Sequence, residues 1–313
     1  MARLCVDFGG TNIKMGLARN GVLTSTREFP VGGAAGDLDA VVAAAASLGA
    51  EPGEIDVVAL AVPGLIDAAG TRLALAHGKY DWMIGADLVE WAQRSFGAVG
   101  IVENDARAAL IGEVASGSAA GETDAVILVL GTGIGTAAMV DGQMLRGASG
   151  AGGNLGGHVT IDWNGPACNC GNIGCAEVFG GSWALRDRVA DLVEISTDGG
   201  SRALWRERFA DAAPLGFAEL LDRAESGDTI AVLARDQAIR AWAVVAVTCC
   251  HLVEPSAIVI AGGVARAAGH VVPVIQEYVR EHIWRVLPMP RFIVSDAPEL
   301  SVLRGLMALG GPA

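Results

Sequence analysis

Leu4-Cys5-Val6-Asp7-Phe8-Gly9-Gly10-Thr11-Asn12-Ile13-Lys14-Met15-Gly16-Leu17-Ala18 reads as strand, glycine turn, strand. An apolar run is broken by paired glycines and then resumes. The hairpin continues through Asn20-Gly21, a strong turn dipeptide. The same layout returns at Ala125-Val126-Ile127-Leu128-Val129-Leu130, where Gly131-Thr132-Gly133-Ile134-Gly135 is the turn and Thr136 to Val140 the answering strand. Another turn, Asp141-Gly142, closes it. Two such openings in one chain suggest two lobes related by duplication.

The segments between them alternate. Leu38 to Leu48 is an alanine-rich helix, and Ile55 to Val62 is a buried strand ended by Pro63-Gly64. Asp87 to Phe96 is a helix, Val99 to Val102 a strand, and Glu103-Asn104-Asp105 opens a helix halted at Ser116-Gly117-Ser118. Alternating strands and helices of this kind build an α/β lobe. Farther on, Trp183 to Val193, Phe217 to Ala224 and Ile230 to Leu252 read as helices, with Thr197-Asp198-Gly199-Gly200-Ser201 as a loop. Ala257 to Ile260 is a strand feeding Gly262-Gly263-Val264 and a helix near Val271 to Trp284. Phe292 to Val294 is a last strand, and Leu300 to Leu309 a last helix.

With 313 residues, 52% apolar and 18% charged, the chain has ample material for two packed cores and none of the signature of disorder. Twenty-two basic against 35 acidic residues leave a net charge of −13, which argues against nucleic acid or an anionic membrane as partner. Asp7 interrupts the N-terminus before any signal-peptide run, and Ala241 to Leu252 is too short to span a bilayer. A reducing cytoplasm suits the cysteines: Cys5 lies in an apolar strand and Cys249-Cys250 in an apolar helix, so these three read as core thiols.

The other three, Cys168, Cys170 and Cys175, fall within eight positions, with His158 ten positions upstream. One imidazole and three thiolates make a closed tetrahedral set for structural Zn²⁺; the plainer alternative is a run of buried thiols. Three glycine turns follow strands: Gly9-Gly10-Thr11, Gly131-Thr132-Gly133 and Gly262-Gly263. Glycine lets backbone amides approach phosphate oxygens, so three such turns point to a nucleotide, although any one of them is also an ordinary hairpin. Asn104-Asp105 is either a helix N-cap or, in Asp105, a general base for phosphoryl transfer. Asp7, at a strand end entering a phosphate turn, is placed to hold Mg²⁺ through water or simply to bond its own turn.

Together these motifs resemble the ROK family of sugar kinases and sugar-responsive repressors. The resemblance rests on Asp7-Phe8-Gly9-Gly10-Thr11-Asn12-Ile13-Lys14, on Glu103-Asn104-Asp105-Ala106-Arg107-Ala108-Ala109, on Leu130-Gly131-Thr132-Gly133-Ile134-Gly135, on Gly157-His158 followed by the cysteine run to Glu177, and on Ala261-Gly262-Gly263-Val264. It implies a two-lobed fold of the actin-like ATPase/hexokinase type. The lobes would be residues 1–118, with a C-terminal helix of about 299–313 returning to them, and residues 119–298, which carry the zinc loop. Sugar and ATP would meet in the cleft, whose closure excludes water, and the protein would be a cytoplasmic homodimer.

The same resemblance makes Asp105 the base acting on a hexose hydroxyl, probed first at C6. Asn104, His158, Glu177, Gly64 and Trp82 become sugar contacts, and Asp7, Gly9, Gly10, Thr11, Asn12, Lys14, Gly131, Thr132, Gly133, Gly262 and Gly263 surround ATP and its Mg²⁺. Two positions depart from the family pattern. Its Glu-x-Gly-His run has Leu155 in the glutamate's place, so either Asn154 fills that slot across one inserted glycine or the contact is missing; Asn154 is the favoured reading. Its Asn-x-x-x-Trp loop keeps Trp82 but has Gly78 for the asparagine, leaving Lys79 or Asp81 to contribute. Two rival readings remain: a catalytically weak sugar- or nucleotide-binding protein, and a repressor. A repressor needs a DNA-binding segment ahead of Asp7, where no room is expected.

Overall fold

The computed structural model describes residues 1–51, 53–76 and 80–310. The chain runs β1 (Ala2–Phe8), β2 (Asn12–Arg19), β3 (Val22–Pro30), α1 (Gly36–Ser47), β4 (Val57–Val62), β5 (Leu65–Ile66), β6 (Leu73–Leu75), α2 (Leu88–Phe96), β7 (Val99–Asn104) and α3 (Asp105–Ser116). It continues with β8 (Ala125–Leu130), β9 (Ile134–Val140), β10 (Gln143–Met144), α4 (Ala176–Gly180), α5 (Ser182–Ile195), α6 (Gly199–Ala210), α7 (Phe217–Glu225) and α8 (Thr229–Val253). β11 (Ala257–Ala261), α9 (Ala268–His282), β12 (Arg291–Val294) and α10 (Ser301–Ala308) complete it.

Two five-stranded sheets share one plan. The first has the order β3-β2-β1-β4-β7 and the second β10-β9-β8-β11-β12. In the first, β3, β2 and β1 form an antiparallel meander, and β4 and β7 then add in parallel. The second ends in the parallel pair β11 and β12. The chain divides into two compact units, Met1–Ile127 with Ala137–Asn154 and Ser295 onward, and Leu128–Thr136 with Leu155–Val294.

In the first unit, β4 and the Leu4–Val6 centre of β1 read as unbroken apolar runs because both of their faces are covered. Leu4, Val6 and Phe8, with Val58, Leu60 and Val62, face a core closed by α1 and α2. The alternate residues Cys5, Val57, Ala59 and Ala61 face Ala108 of α3 and Leu303 and Leu306 of α10. Gly112 and Gly305 bring those two helices so close that a Cβ on either would strike the other's backbone. Glu113, fully buried, fastens the pair by accepting from the hydroxyls of Ser295 and Ser301 and from the amide of Ser118.

The second unit corrects one expectation. Asp198 is not mid-loop: its carboxylate accepts from the amides of Gly200 (3.0 Å) and Ser201 (3.1 Å) and caps α6. Two glycines in the first turn weaken the helical propensity there, but the cap and the burial of Trp205 override it. Among the described residues, no helix is long and apolar enough to cross a membrane.

Candidate functional site

Asn104 ends β7 and caps α3, with its Oδ1 accepting from the Arg107 amide at 3.1 Å. The cap and the proposed functional role therefore coexist in one side chain, because capping uses only the oxygen. The Asn104 Nδ2 donates to Asp105 Oδ1 and to the Gly64 carbonyl, both at 2.9 Å. Gly64 has φ 120°, and a Cβ there would press on Leu75 and Ala76, so glycine is required at this contact. Asp105 Oδ1 also accepts from the Ala106 amide at 2.8 Å.

Burial pushes the Asp105 carboxyl up to about 6 against these hydrogen bonds, which pull it down. Asp7 ends the neighbouring run of β1. Burial lifts it to about 7, the Asp105 charge adds to the rise, and Lys14, its register partner on β2, opposes it. One buried and one half-buried carboxylate with little cationic compensation are the kind of donor set that a divalent ion would relieve, so Asp7 fits Mg²⁺ chemically.

Asn154 reaches the same place. Its Nδ2 donates to Asn104 Oδ1 at 2.6 Å, whereas Leu155, which holds the family's glutamate spacing, is exposed. Trp82, in a 3-10 turn at Asp81–Met83, packs on the core of this unit, and its indole N–H is buried with no partner among the described residues. Asp81 is exposed. Gly78 and Lys79 lie outside the described residues.

The first glycine turn closes through the Gly9 amide donating to the Asn12 carbonyl at 3.1 Å, which leaves Gly10 and Thr11 exposed. Asn12 is tied to Glu28. In the second unit, the Gly131 amide donates to Gly133, and the start of α5 covers the turn as Ser182 and Trp183 donate to the carbonyls of Gly131 and Thr132. Glu177, buried in the first turn of α4, accepts from the Ile134 amide (2.9 Å) and from the Trp183 indole (3.1 Å). Gly262, at φ 83°, bends β11 beneath Leu130, and Gly263 is exposed.

His158, Cys168, Cys170 and Cys175 place four ligand atoms within 4.8 Å of one another. His158 Nδ1 is 3.7 Å from Cys168 Sγ, and Cys170 Sγ is 3.7 Å from Cys175 Sγ. Zinc bonds of about 2.3 Å to sulfur and 2.0–2.1 Å to nitrogen give tetrahedral donor–donor edges of about 3.5–3.8 Å, so the set fits the ion. Gly171 and Gly174 supply the left-handed turns that fold the loop, and Gly174 stands against the Asp162 backbone where no side chain fits. Burial, with the neighbouring thiols adding to it, raises the Cys175 thiol to about 12. A cation is what would make thiolates favourable here.

Three residues stand inside motifs that the sequence shows but received no role of their own there. Tyr80 is buried and donates its hydroxyl to the Gly9 carbonyl at 2.8 Å. Glu103 and Arg107 are almost fully enclosed and flank Asn104-Asp105. Their signal was a pair of opposite charges four apart, bracketing Asn104-Asp105 at a strand-to-helix junction.

The ROK family model matches residues 3–309. A glucokinase from Thermotoga maritima is 30% identical over 292 residues, covering 92% of this chain and 88% of that protein. The solved ROK family glucokinase from Streptomyces griseus, in complex with glucose and AMPPNP, superposes with a TM-score of 0.83 at 25% identity over 99% of both chains, and so shares the α/β architecture expected from the motifs. The xylose repressor of Bacillus spizizenii is 35% identical over 128 residues, 41% of this chain but 32% of the repressor. With a match that runs from strand β1 to the end of α10, this chain belongs to the ROK family.

Proposed function

We propose that the protein is an ATP-dependent sugar kinase acting on a hexose or N-acetylhexosamine at its primary hydroxyl, with Asp105 as general base. The observation that carries this reading is the Asp105 carboxylate itself. It is partly buried, raised to about 6, and held by Asn104 at a helix start that Asn154 also reaches. A base poised just below neutral pH is ionised when substrate arrives yet accepts a proton readily. Membership of the family and full-length similarity to glucokinases support the reaction class.

Asp105 takes the hydroxyl proton as the sugar oxygen attacks the γ-phosphate in line, while Asn104, Asn154, Gly64, Trp82, His158 and Glu177 orient the sugar. The turns at Gly9-Gly10-Thr11, Gly131-Thr132-Gly133 and Gly262-Gly263 donate amides to the nucleotide. Asp7 would hold Mg²⁺, which would supply charge neutralisation on the phosphate oxygens. Zn²⁺ at His158, Cys168, Cys170 and Cys175 is structural, since four protein ligands close its shell.

The test is ADP release with MgATP, and in parallel with polyphosphate, across glucose, mannose, fructose, allose, N-acetylglucosamine, N-acetylmannosamine and several pentoses. The expected result is one preferred sugar whose turnover disappears in Asp105→Asn. Near-wild-type turnover in that folded variant would falsify the base assignment. Partial similarity to the xylose repressor favours a second reading, in which the protein binds sugar without phosphorylating it. Sugar-induced tryptophan fluorescence with no ADP release over the whole panel supports that reading instead.

A further inference from the structure

Arg107 lies in the first turn of α3 and is only 1% exposed. Its Nη2 donates to three carbonyls of a single loop: Leu145 at 3.2 Å, Gly150 at 2.6 Å and Gly152 at 2.7 Å. Its Nη1 faces Glu103 Oε1 at 3.8 Å. Glu103, 2% exposed, also pairs with Arg146 from that loop and accepts from the Asn104 amide at 2.9 Å. The loop is rich in glycine, with Gly147, Gly150 and Gly153 all at positive φ. Such a segment has many conformations open to it; the backbone bonds Gly152 N–H to Arg146 and Asn154 N–H to Ala151 lie within it, and Arg107 ties it to α3.

Two residues beyond the clamped Gly152 carbonyl stands Asn154, whose amide meets Asn104 beside Asp105. We infer that Arg107 is the positioning residue for sugar selectivity, because its Nη2, with Nη1 turned to Glu103, fixes the loop that delivers Asn154 to Asn104. The inference rests on the sugar-kinase reading above and on Asn154 as a sugar contact. Lysine does not substitute for arginine here: its single nitrogen could meet loop carbonyls, but it has no second nitrogen to face Glu103 at the same time.

The experiment is a double-mutant cycle of Arg107→Lys and Asn154→Ala on the full chain. It reads kcat and KM for the preferred sugar, for its poorest accepted epimer and for ATP. Losing charge-assisted bonds raises the sugar KM of Arg107→Lys by about tenfold or more and narrows the preference between epimers, while kcat and the KM for ATP move much less. In the Asn154→Ala background, Arg107→Lys changes sugar preference no further, because the residue it acts through is gone. Where Arg107→Lys does not fold, Glu103→Gln loosens the same clamp from its other side and takes its place in the cycle. Equal and multiplicative effects in both backgrounds, or unchanged epimer preference in either single variant, overturn the inference while leaving the kinase reading intact. A wild-type protein that phosphorylates no sugar overturns both.

Discussion

Replacing Asp105 by asparagine should destroy activity and stabilise the protein, and both effects can be sized from the structure. Asp105 Oδ1 accepts from Ala106 and Asn104. An asparagine oxygen in the same place keeps both bonds, so the change removes a charge and little else. Burial has raised the carboxyl from 3.8 to about 6. That rise corresponds to about 3 kcal/mol of penalty for keeping the ionised form in the folded state. The sign follows from linkage. The folded protein binds this proton more tightly than the unfolded chain, so stability is lost as pH climbs from about 4 through about 6, and the full cost is present at pH 7. Asp105→Asn escapes the cost and also spares Asp7 the repulsion that helps lift its own carboxyl. Urea denaturation at pH 7.5 should show a gain of up to about 3 kcal/mol, shrinking toward zero near pH 4. In the wild type, kcat/KM for the sugar should fall on an acid limb near pH 6, and the variant should lose about 10²–10⁴-fold in kcat at pH 7.5. A variant no more stable at pH 7.5 than at pH 4, relative to wild type, would refute burial as the cause of the shift. An unchanged acid limb in a still-active variant would remove Asp105 from the reaction.

Metal analysis of purified protein should find about one zinc per chain, and Cys170→Ser should lower both zinc content and Tm; full activity and stability with no bound metal would sink the assignment. Tyr80→Phe removes the hydroxyl bond to Gly9, about 1 kcal/mol, and should raise the KM for ATP by about fivefold with the sugar KM little changed. An unmoved KM for ATP would show that the bond does not support the nucleotide turn. Gly262→Ala places a Cβ at φ 83° within 2.5 Å of the Leu130 carbonyl and should cost about 2 kcal/mol or more in urea unfolding. Gly263→Ala meets nothing within 4 Å, so its stability should hold and any loss should fall on ATP affinity.

The sequence made the strands plain because they are short, apolar and punctuated by glycine, and β1, β4, β8 and β11 fall where periodicity placed them. Helix α6 hid because its first turn is Gly199-Gly200, where local propensity opposes what Asp198 and Trp205 accomplish together. The convergence of His158, Cys168, Cys170 and Cys175 was legible from spacing alone, since three thiols and a histidine so close in the chain need only glycine turns to meet. Arg107 was not. Its three acceptors are backbone carbonyls about forty residues away, and a carbonyl leaves no mark on a sequence. Tyr80 hid for the same reason, because its partner is the Gly9 oxygen and not a side chain.

In the second unit the cysteine cluster and the second glycine turn are linked by a short path. Cys175 stands immediately before α4, and Glu177 lies two residues into it. The Glu177 carboxylate takes the Ile134 amide at the far side of the Gly131-Thr132-Gly133 turn and the indole of Trp183, whose own amide bonds Thr132. Whatever fixes Cys175 therefore fixes the start of α4, and through Glu177 it fixes the turn. A helix of five residues cannot hold such a position by its own propensity, because helix nucleation is unfavourable at that length. Four bonds to one ion held by His158, Cys168, Cys170 and Cys175 would supply the missing rigidity. A closed metal site with no open coordination position would thus have a structural reason to sit here: it would set the place of the Glu177 carboxylate and, through it, of the second glycine turn.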